Sequence, residues 1–458
     1  MSPAVILLVG MATVLGAILV LRVNAFLALL TGAIAVSLLA PGEPAAKIAR
    51  VAEGFGRTAG SIGIVIALAA ITGKAMMESG AADRIVQAFL NVFGAKRGAT
   101  ALCATGYVLS IPVFFDTVFY LLIPLARSMY TRTNRHYLKY LMAIAAGAAA
   151  THTLVPPTPG PLAVAGTLGV DLGTMVLVGL VVALPAAGAG LLFAGWLDRR
   201  MPLAPRGDAG GGAVERTPTP ALPGLLSSLL PIVLPVLLIS ANTVVASMTS
   251  RAGAHPTVWS TVAPYTVIIG NANLALLVSA VVAMGVYARQ RGASRADLAE
   301  MVEASLMSAG VIILITAAGG AFGATLQAAR IGPAIEAAVG TPGSGSGVIL
   351  LLLGFGVASL IKFAQGSSTV AMITTAAMLA AIIPPTSGPP FHTVYVATAI
   401  ASGSLVGTWM NDSGFWVFSK MGGVSELDTL KSWTPLLAIV GVTGMVTTIV
   451  LALLVPLR

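Results

Sequence analysis

Apolar runs of helix length recur along almost the whole chain, separated by short polar stretches. About 20 predominantly apolar residues suffice to cross a bilayer as a helix. On that measure spans are predicted near 3–21, 24–40, 60–78, 174–197, 222–248, 265–288, 301–326 and 434–456. Two longer spans, 138–170 and 393–422, are broken in the middle. Residues 151–161 (THTLVPPTPGP) break the first, and residues 407–415 (GTWMNDSGF) break the second. Helix breakers and polar groups at bilayer depth persist where they are enclosed by protein or line a cavity. Regions 98–126 and 346–384 are also apolar, long and interrupted.

Positive charge orients these spans. Arg127, Arg132, Arg135 and Lys139 lie in loop 127–139, Arg199, Arg200, Arg206 and Arg216 in linker 198–221, and Arg289, Arg291 and Arg295 in loop 289–300. All three read as cytoplasmic. Counting spans outward from the linker satisfies all three if 98–126 enters and leaves from the cytoplasm and 346–384 then enters and leaves from outside, each as a re-entrant hairpin. Both termini then come out external, and Lys47, Arg50 and Arg57 lie outside, against the rule. The Gly-, Pro- and Thr-rich linker 198–221 separates an N-terminal part, 1–197, from a C-terminal part, 222–458.

The two parts resemble each other. Residues 61–66 (SIGIVI) read like 308–313 (SAGVII), and Gly160, Gly169 and Val170 line up with Gly414, Gly423 and Val424 at a constant offset. Both run in the order span, span, span, amphipathic piece, hairpin, broken helix, span. Five crossings is an odd number, so the halves insert in opposite orientation. The expected fold is an all-α polytopic membrane protein of two inverted repeats, each with a re-entrant hairpin and a discontinuous helix. Such repeats point to secondary transporters.

Composition agrees. The chain is 57% hydrophobic and 9% charged, with mean hydropathy +0.94, whereas soluble domains carry about 25% charged residues. The net charge of +9 reads as loop bias beside a lipid bilayer. No basic patch with interleaved aromatics suggests nucleic acid. The one cysteine, Cys103, excludes an intrachain disulfide and a thiolate metal site. The N-terminal run lacks a basic leader and a small-residue cleavage site, so it reads as a retained span. Four histidines leave little for a metal centre, no motif calls for a cofactor, and no nucleophile constellation suggests an enzyme.

Candidate chemistry sits at the interruptions. In the first hairpin Asp116, next to Thr117, is a carboxylate among apolar residues and must be paired, protonated or bound to a cation. In the second, Lys362 and Gln365 precede Gly366-Ser367-Ser368-Thr369, a tip that leads into a helix N-terminus and suits an anion. In the first broken helix, Pro156, Pro157, Pro159 and Pro161 predict an unwound segment beside Thr151, His152, Thr153, Thr158 and Gly160. His152 either serves a substrate hydroxyl, relays protons, or is satisfied by a backbone carbonyl. In the second, Asn411, Asp412, Ser413 and Gly414 offer side-chain ligands. Asp412 is the first candidate for proton coupling and Asp116 the second. Lys74 and Glu78, four residues apart, suggest a local ion pair.

The strings GYVLSIPVFFDTVFYLLIPLA, ATHTLVPPTPGPLAVAGTLGVDLG, IKFAQGSSTVAMITTAAML and TWMNDSGFWVFSKMGG resemble the gluconate permease (gluconate:proton symporter, GntP) family of bacterial inner-membrane carriers. The resemblance covers essentially the whole chain. It implies an elevator-type carrier that imports gluconate or a related sugar acid or hydroxy acid with protons, and a homodimer. The alternative on the same fold is a cation/proton antiporter; the cationic, hydroxyl-rich second hairpin favours an anion.

Overall fold

The computed structural model describes residues 2–21, 23–93, 97–204, 222–252, 258–329, 344–383, 389–410 and 412–457, and these form helices and connecting turns without a strand. Asn411, most of the linker 198–221 and the second expected amphipathic piece, 330–343, lie outside the described residues. In chain order the helices are α1 (Pro3–Leu15), α2 (Ala25–Leu39), α3 (Pro44–Glu78), α4 (Ala81–Phe93), α5 (Gly98–Leu109), α6 (Phe115–Thr133), α7 (Tyr137–Leu154), α8 (Pro159–Leu168) and α9 (Leu172–Arg200). After the linker come α10 (Leu225–Ala252), α11 (Val258–Ile269), α12 (Ala272–Arg291), α13 (Arg295–Ala328), α14 (Ser344–Gln365), α15 (Ser368–Ile382), α16 (Val394–Gly403), α17 (Ser413–Gly422) and α18 (Glu426–Leu454). A helix satisfies every backbone group internally, which is what hydrocarbon demands. Among the described residues six segments are long and apolar enough to cross a membrane, and α3, bent by 40° beyond Ser61, makes a seventh if counted as one span.

The interruptions fall where the sequence placed them, with adjusted edges. Helix α7 stops at Leu154 and α8 starts at Pro159, so the first break is residues 155–158. Pro159 and Pro161 belong to the first turn of α8 instead of to an unwound segment, because a first-turn proline forfeits no helical hydrogen bond. The predicted span 265–288 is also corrected. A turn at Gly270 and Asn271 divides α11 from α12, and Asn271 Oδ1 caps α12 by accepting from Asn273 N at 3.0 Å.

The expected loop before the third span is helical too: α3 begins at Pro44. Two of the basic residues near its start are held locally. Lys47 Nζ donates to Leu38 O at 2.6 Å and the Arg50 guanidinium to Pro41 O at 2.9 Å, so these cations occupy the carbonyl-rich end of α2.

Two apolar cores result. One joins α5, α6, α7 and α9 to α14 and α16–α18; the other joins α1–α3 to α13 and to one face each of α8 and α15. Close approach depends on small residues. Helix α7 is buried along nearly all of its length; its Gly147 and Ala148 lie against α5 and its Ala146 against Gly190 of α9. Two pairs of helices on either side of the linker match in length. Helices α8 and α17 have 10 residues each and α9 and α18 have 29 each; Gly169 and Gly423 end the short helices at φ 66° and 64°.

Outside the cores, Asp171 ties α9 to α10. Its Oδ2 accepts from Thr174 N at 2.8 Å as the N-cap of α9 and from Thr243 Oγ1 at 2.7 Å. Asp171→Ala is expected to cost about 1 kcal/mol, the usual loss of an N-cap. A thermal-unfolding shift in detergent measures it, with Asp171→Ser recovering part of the loss.

Candidate functional site

Helix ends, not helix middles, build the site. The α5–α6 turn brings Phe114 and the first turn of α6, with Asp116 and Thr117, to one wall of a cavity of about 600 Å³. The α14–α15 turn brings Gly366-Ser367-Ser368-Thr369 to another. Gly366 takes φ 89°, a value open to glycine at little cost. Ser367 caps α15 by accepting from Val370 N at 3.3 Å, and Ser368 Oγ donates to Ser404 O at 2.9 Å. The last turn of α7 contributes His152 and Thr153, and the start of α17 contributes Asp412, Ser413 and Gly414. Three helix N-termini, those of α6, α15 and α17, therefore meet at one cavity.

Asp412 is the N-cap of α17. Its Oδ1 accepts from Gly414 N at 2.5 Å and from Phe415 N at 3.3 Å, and its Oδ2 accepts from Lys362 Nζ. Lys362 is buried, at 1% exposure, and its Nζ also donates to Gly366 O at 2.5 Å. Lys362 thus fastens the α14–α15 turn to the second broken helix instead of standing free toward the cavity. Asp116 faces the cavity, and neither of its oxygens has a hydrogen-bond partner among the described residues. His152 Nδ1 is likewise buried with no partner among the described residues, its ring edge-on to Phe114 at 5.9 Å.

Of the residues singled out in the sequence, Asp116, Thr117, His152, Thr153, Gly366, Ser367, Ser368, Thr369, Asp412, Ser413 and Gly414 line the cavity. Thr158 and Gly160 do not. Thr158 Oγ1 donates to His152 O and Val155 O, both at 2.7 Å, so its hydroxyl is spent on the carbonyls freed by the break. Gly160 packs where α8 meets Met372 of α15. The side chain of Gln365, like Asn411, lies outside the described residues. Lys74 and Glu78 form the expected ion pair at 2.9 Å, in a smaller cavity of about 260 Å³ that shares Phe114 and Thr117 with the main one.

Trp433 was not legible. The predicted span began at 434, which left it at an interface, whereas α18 begins at Glu426 and carries it inward. It is 2% exposed, lines the cavity, packs on Phe115 and Phe418, and its Nε1 donor has no partner among the described residues. Its one sequence signal is chemical: an indole N–H in an apolar setting needs an acceptor. The Lys362–Asp412 pair carried a similar signal, two opposite charges at depth.

The family model for GntP family permeases matches residues 2–454. The chain belongs to the GntP permease family. The gluconate permease of Pseudomonas aeruginosa is 32% identical over 455 residues, covering 98% of both chains. The low-affinity gluconate transporter of Escherichia coli K12 is 32% identical over 427 residues, covering 93% of this chain and 92% of that one. The crystal structure of the Alcanivorax borkumensis YdaH transporter is similar with a TM-score of 0.64 over 94% of this chain and 98% of its own, at 14% identity, and so shares the fold. This GntP-family permease is a multi-pass transporter of the bacterial inner membrane and not an enzyme.

Proposed function

We propose that this GntP-family permease imports gluconate, or a closely related sugar acid or hydroxy acid, by proton symport. One observation carries the reading: the N-termini of α6, α15 and α17 converge on one hydroxyl-rich cavity. Helix N-termini present N–H groups and a positive dipole end to a carboxylate. Ser367, Ser368, Thr369, Thr117, Thr153 and Ser413 supply partners for a polyol, and the unpartnered Trp433 Nε1 adds a donor. The same arrangement disfavours exchange of cations alone, which gain nothing at helix N-termini. The substrates in the relatives' names fit this chemistry.

Symport is supported by the two carboxylates at the cavity, Asp116 and Asp412. A proton taken up with the anion cancels its charge and lowers the cost of carrying it through a low-dielectric region.

For alternating access we propose two inverted repeats, 1–197 and 222–458, joined by a cytoplasmic linker at 198–221. The α5–α6 and α14–α15 pairs are the re-entrant hairpins. Helix packing supports this, because contacts occur in matched pairs: α5 on α7 and α14 on α16, α7 on α9 and α16 on α18, α2 on α13 and α12 on α3, α8 on α15 and α17 on α6. A two-fold relation between the halves produces such pairs. The core built on α5–α9 and α14–α18 would move against α1–α3 and α13 as an elevator, held in a homodimer.

The test is uptake of labelled gluconate into proteoliposomes. An inward proton gradient is expected to drive accumulation that a protonophore collapses. If no aldonate or hydroxy acid accumulates in response to the gradient, the reading is wrong.

A further inference from the structure

The charged groups around the cavity are not equivalent. Both oxygens of Asp412 accept from N–H groups: Oδ2 from Lys362, Oδ1 from Gly414 N and Phe415 N. An ionised carboxylate is an acceptor only. Protonating Asp412 would set an O–H against one of these donors and strand the buried ammonium of Lys362, so Asp412 is built to stay ionised. Lys362 Nζ in turn sits between a carboxylate oxygen of Asp412 and the backbone carbonyl of Gly366, at the tip of the α14–α15 turn. Carboxylate and carbonyl oxygens from two separate segments are the ligands a small inorganic cation takes. Here the side chain brings its own cation.

Asp116 differs on each count. It has no hydrogen-bond partner among the described residues and opens to the cavity, so a proton can reach it from water and leave again without breaking an existing bond. The other titratable or charged groups that face it are His152 from α7, Asp412 from α17 and, behind Asp412, Lys362 from α14. The Lys74–Glu78 pair of α3 lies in the adjoining smaller cavity.

We infer that Lys362 is a tethered cation that permanently neutralises Asp412, and that Asp116 takes the coupling proton, one for each substrate anion. The inference rests on the symport reading above. The charge balance then closes. Lys362 and Asp412 cancel. The empty site carries the single negative charge of ionised Asp116. The loaded site carries a neutral, protonated Asp116 and one negative substrate. Loaded and empty forms have the same charge, so symport is electroneutral. No sodium is required, because Lys362 already supplies the cation between the Asp412 carboxylate and Gly366 O.

The experiment has a substrate-free arm and a transport arm. In the first, the infrared carboxylic-acid C=O band of the purified full-length protein is followed on acidification. The band that titrates is expected to disappear in Asp116→Asn. It is expected to remain in the double variant Lys362→Met with Asp412→Asn, which removes the pair without stranding a charge. A band that survives Asp116→Asn and vanishes in the double variant overturns the assignment. In the second arm, Asp116→Asn in proteoliposomes is expected to lose accumulation driven by a proton gradient. The wild-type protein is expected not to respond to a potassium diffusion potential or a sodium gradient applied alone. Gradient-driven accumulation by Asp116→Asn, or uptake driven by potential or sodium in the wild type, overturns the proposal. Wild-type protein that moves no sugar acid under a proton gradient refutes the symport reading, while the infrared arm still decides which carboxyl takes up the proton.

Discussion

Lys362→Met is expected to destabilise the protein by about 3–5 kcal/mol, the cost of leaving one member of a buried ion pair alone. Met fills nearly the same volume as the lysine stem, so packing changes little and the effect isolates the charge. What remains is the Asp412 carboxylate, at 12% exposure, with its Oδ2 deprived of the ammonium. The α14–α15 turn also loses its tie to α17 through Gly366 O. Thermal unfolding in detergent should show a large drop for Lys362→Met, a comparable one for Asp412→Asn, and recovery of most of the loss in the double variant. Replacing both members of a buried pair is often close to neutral. Two single losses that simply add would show that the pair does not act as a unit.

Gly147→Ala and Gly403→Ala are expected to be nearly as damaging, for a steric reason. A Cβ on Gly147 of α7 would lie 2.0 Å from Cys103 O and 3.0 Å from Tyr107 N of α5. On Gly403 of α16 it would lie 2.2 Å from Phe355 O and 2.8 Å from Phe355 Cα of α14. All of these are backbone atoms, so relief requires shifting a whole helix. Overpacking of this kind costs about 1–3 kcal/mol and sometimes more. The shift would also move His152 and Thr153, carried by α7, against Asp116 on α6. Transport should therefore fall further than stability does. Gly188→Ala is the control. Nothing lies within 4 Å of a Cβ there, and alanine is the better helix former by up to about 1 kcal/mol. Melting temperatures that fall for Gly147→Ala and Gly403→Ala and hold or rise for Gly188→Ala would bear this out. Equal small effects at all three positions would show that the helices tolerate separation.

The spans, their breaks and the polar groups at bilayer depth were legible because each is a local property. Hydrocarbon requires about 20 apolar residues for a crossing helix, so 434–456 and 174–197 announced themselves. The interruptions at 151–161 and 407–415 did so by violating the same rule. Eleven of the proposed site residues line one cavity, since a polar group in such a place must face protein or solvent. Edges were less legible. Pro44 and Pro159 start helices, and proline in a first turn looks in sequence like proline in a loop.

By itself, then, the sequence determined an all-helical membrane transporter with polar breaks, and it named most of the residues at the cavity. Only the tertiary structure decided what each of those residues does. It paired Lys362 with Asp412, 50 positions away, and left Asp116 without a hydrogen-bond partner among the described residues. It turned Thr158 inward onto the carbonyls of its own break, and it brought Trp433 from the margin of a predicted span to the cavity wall. Hydrophobic length is a sum over neighbours along the chain. Whether a buried charge or donor is satisfied depends on which distant segment packs against it, and only the folded arrangement of helices sets that.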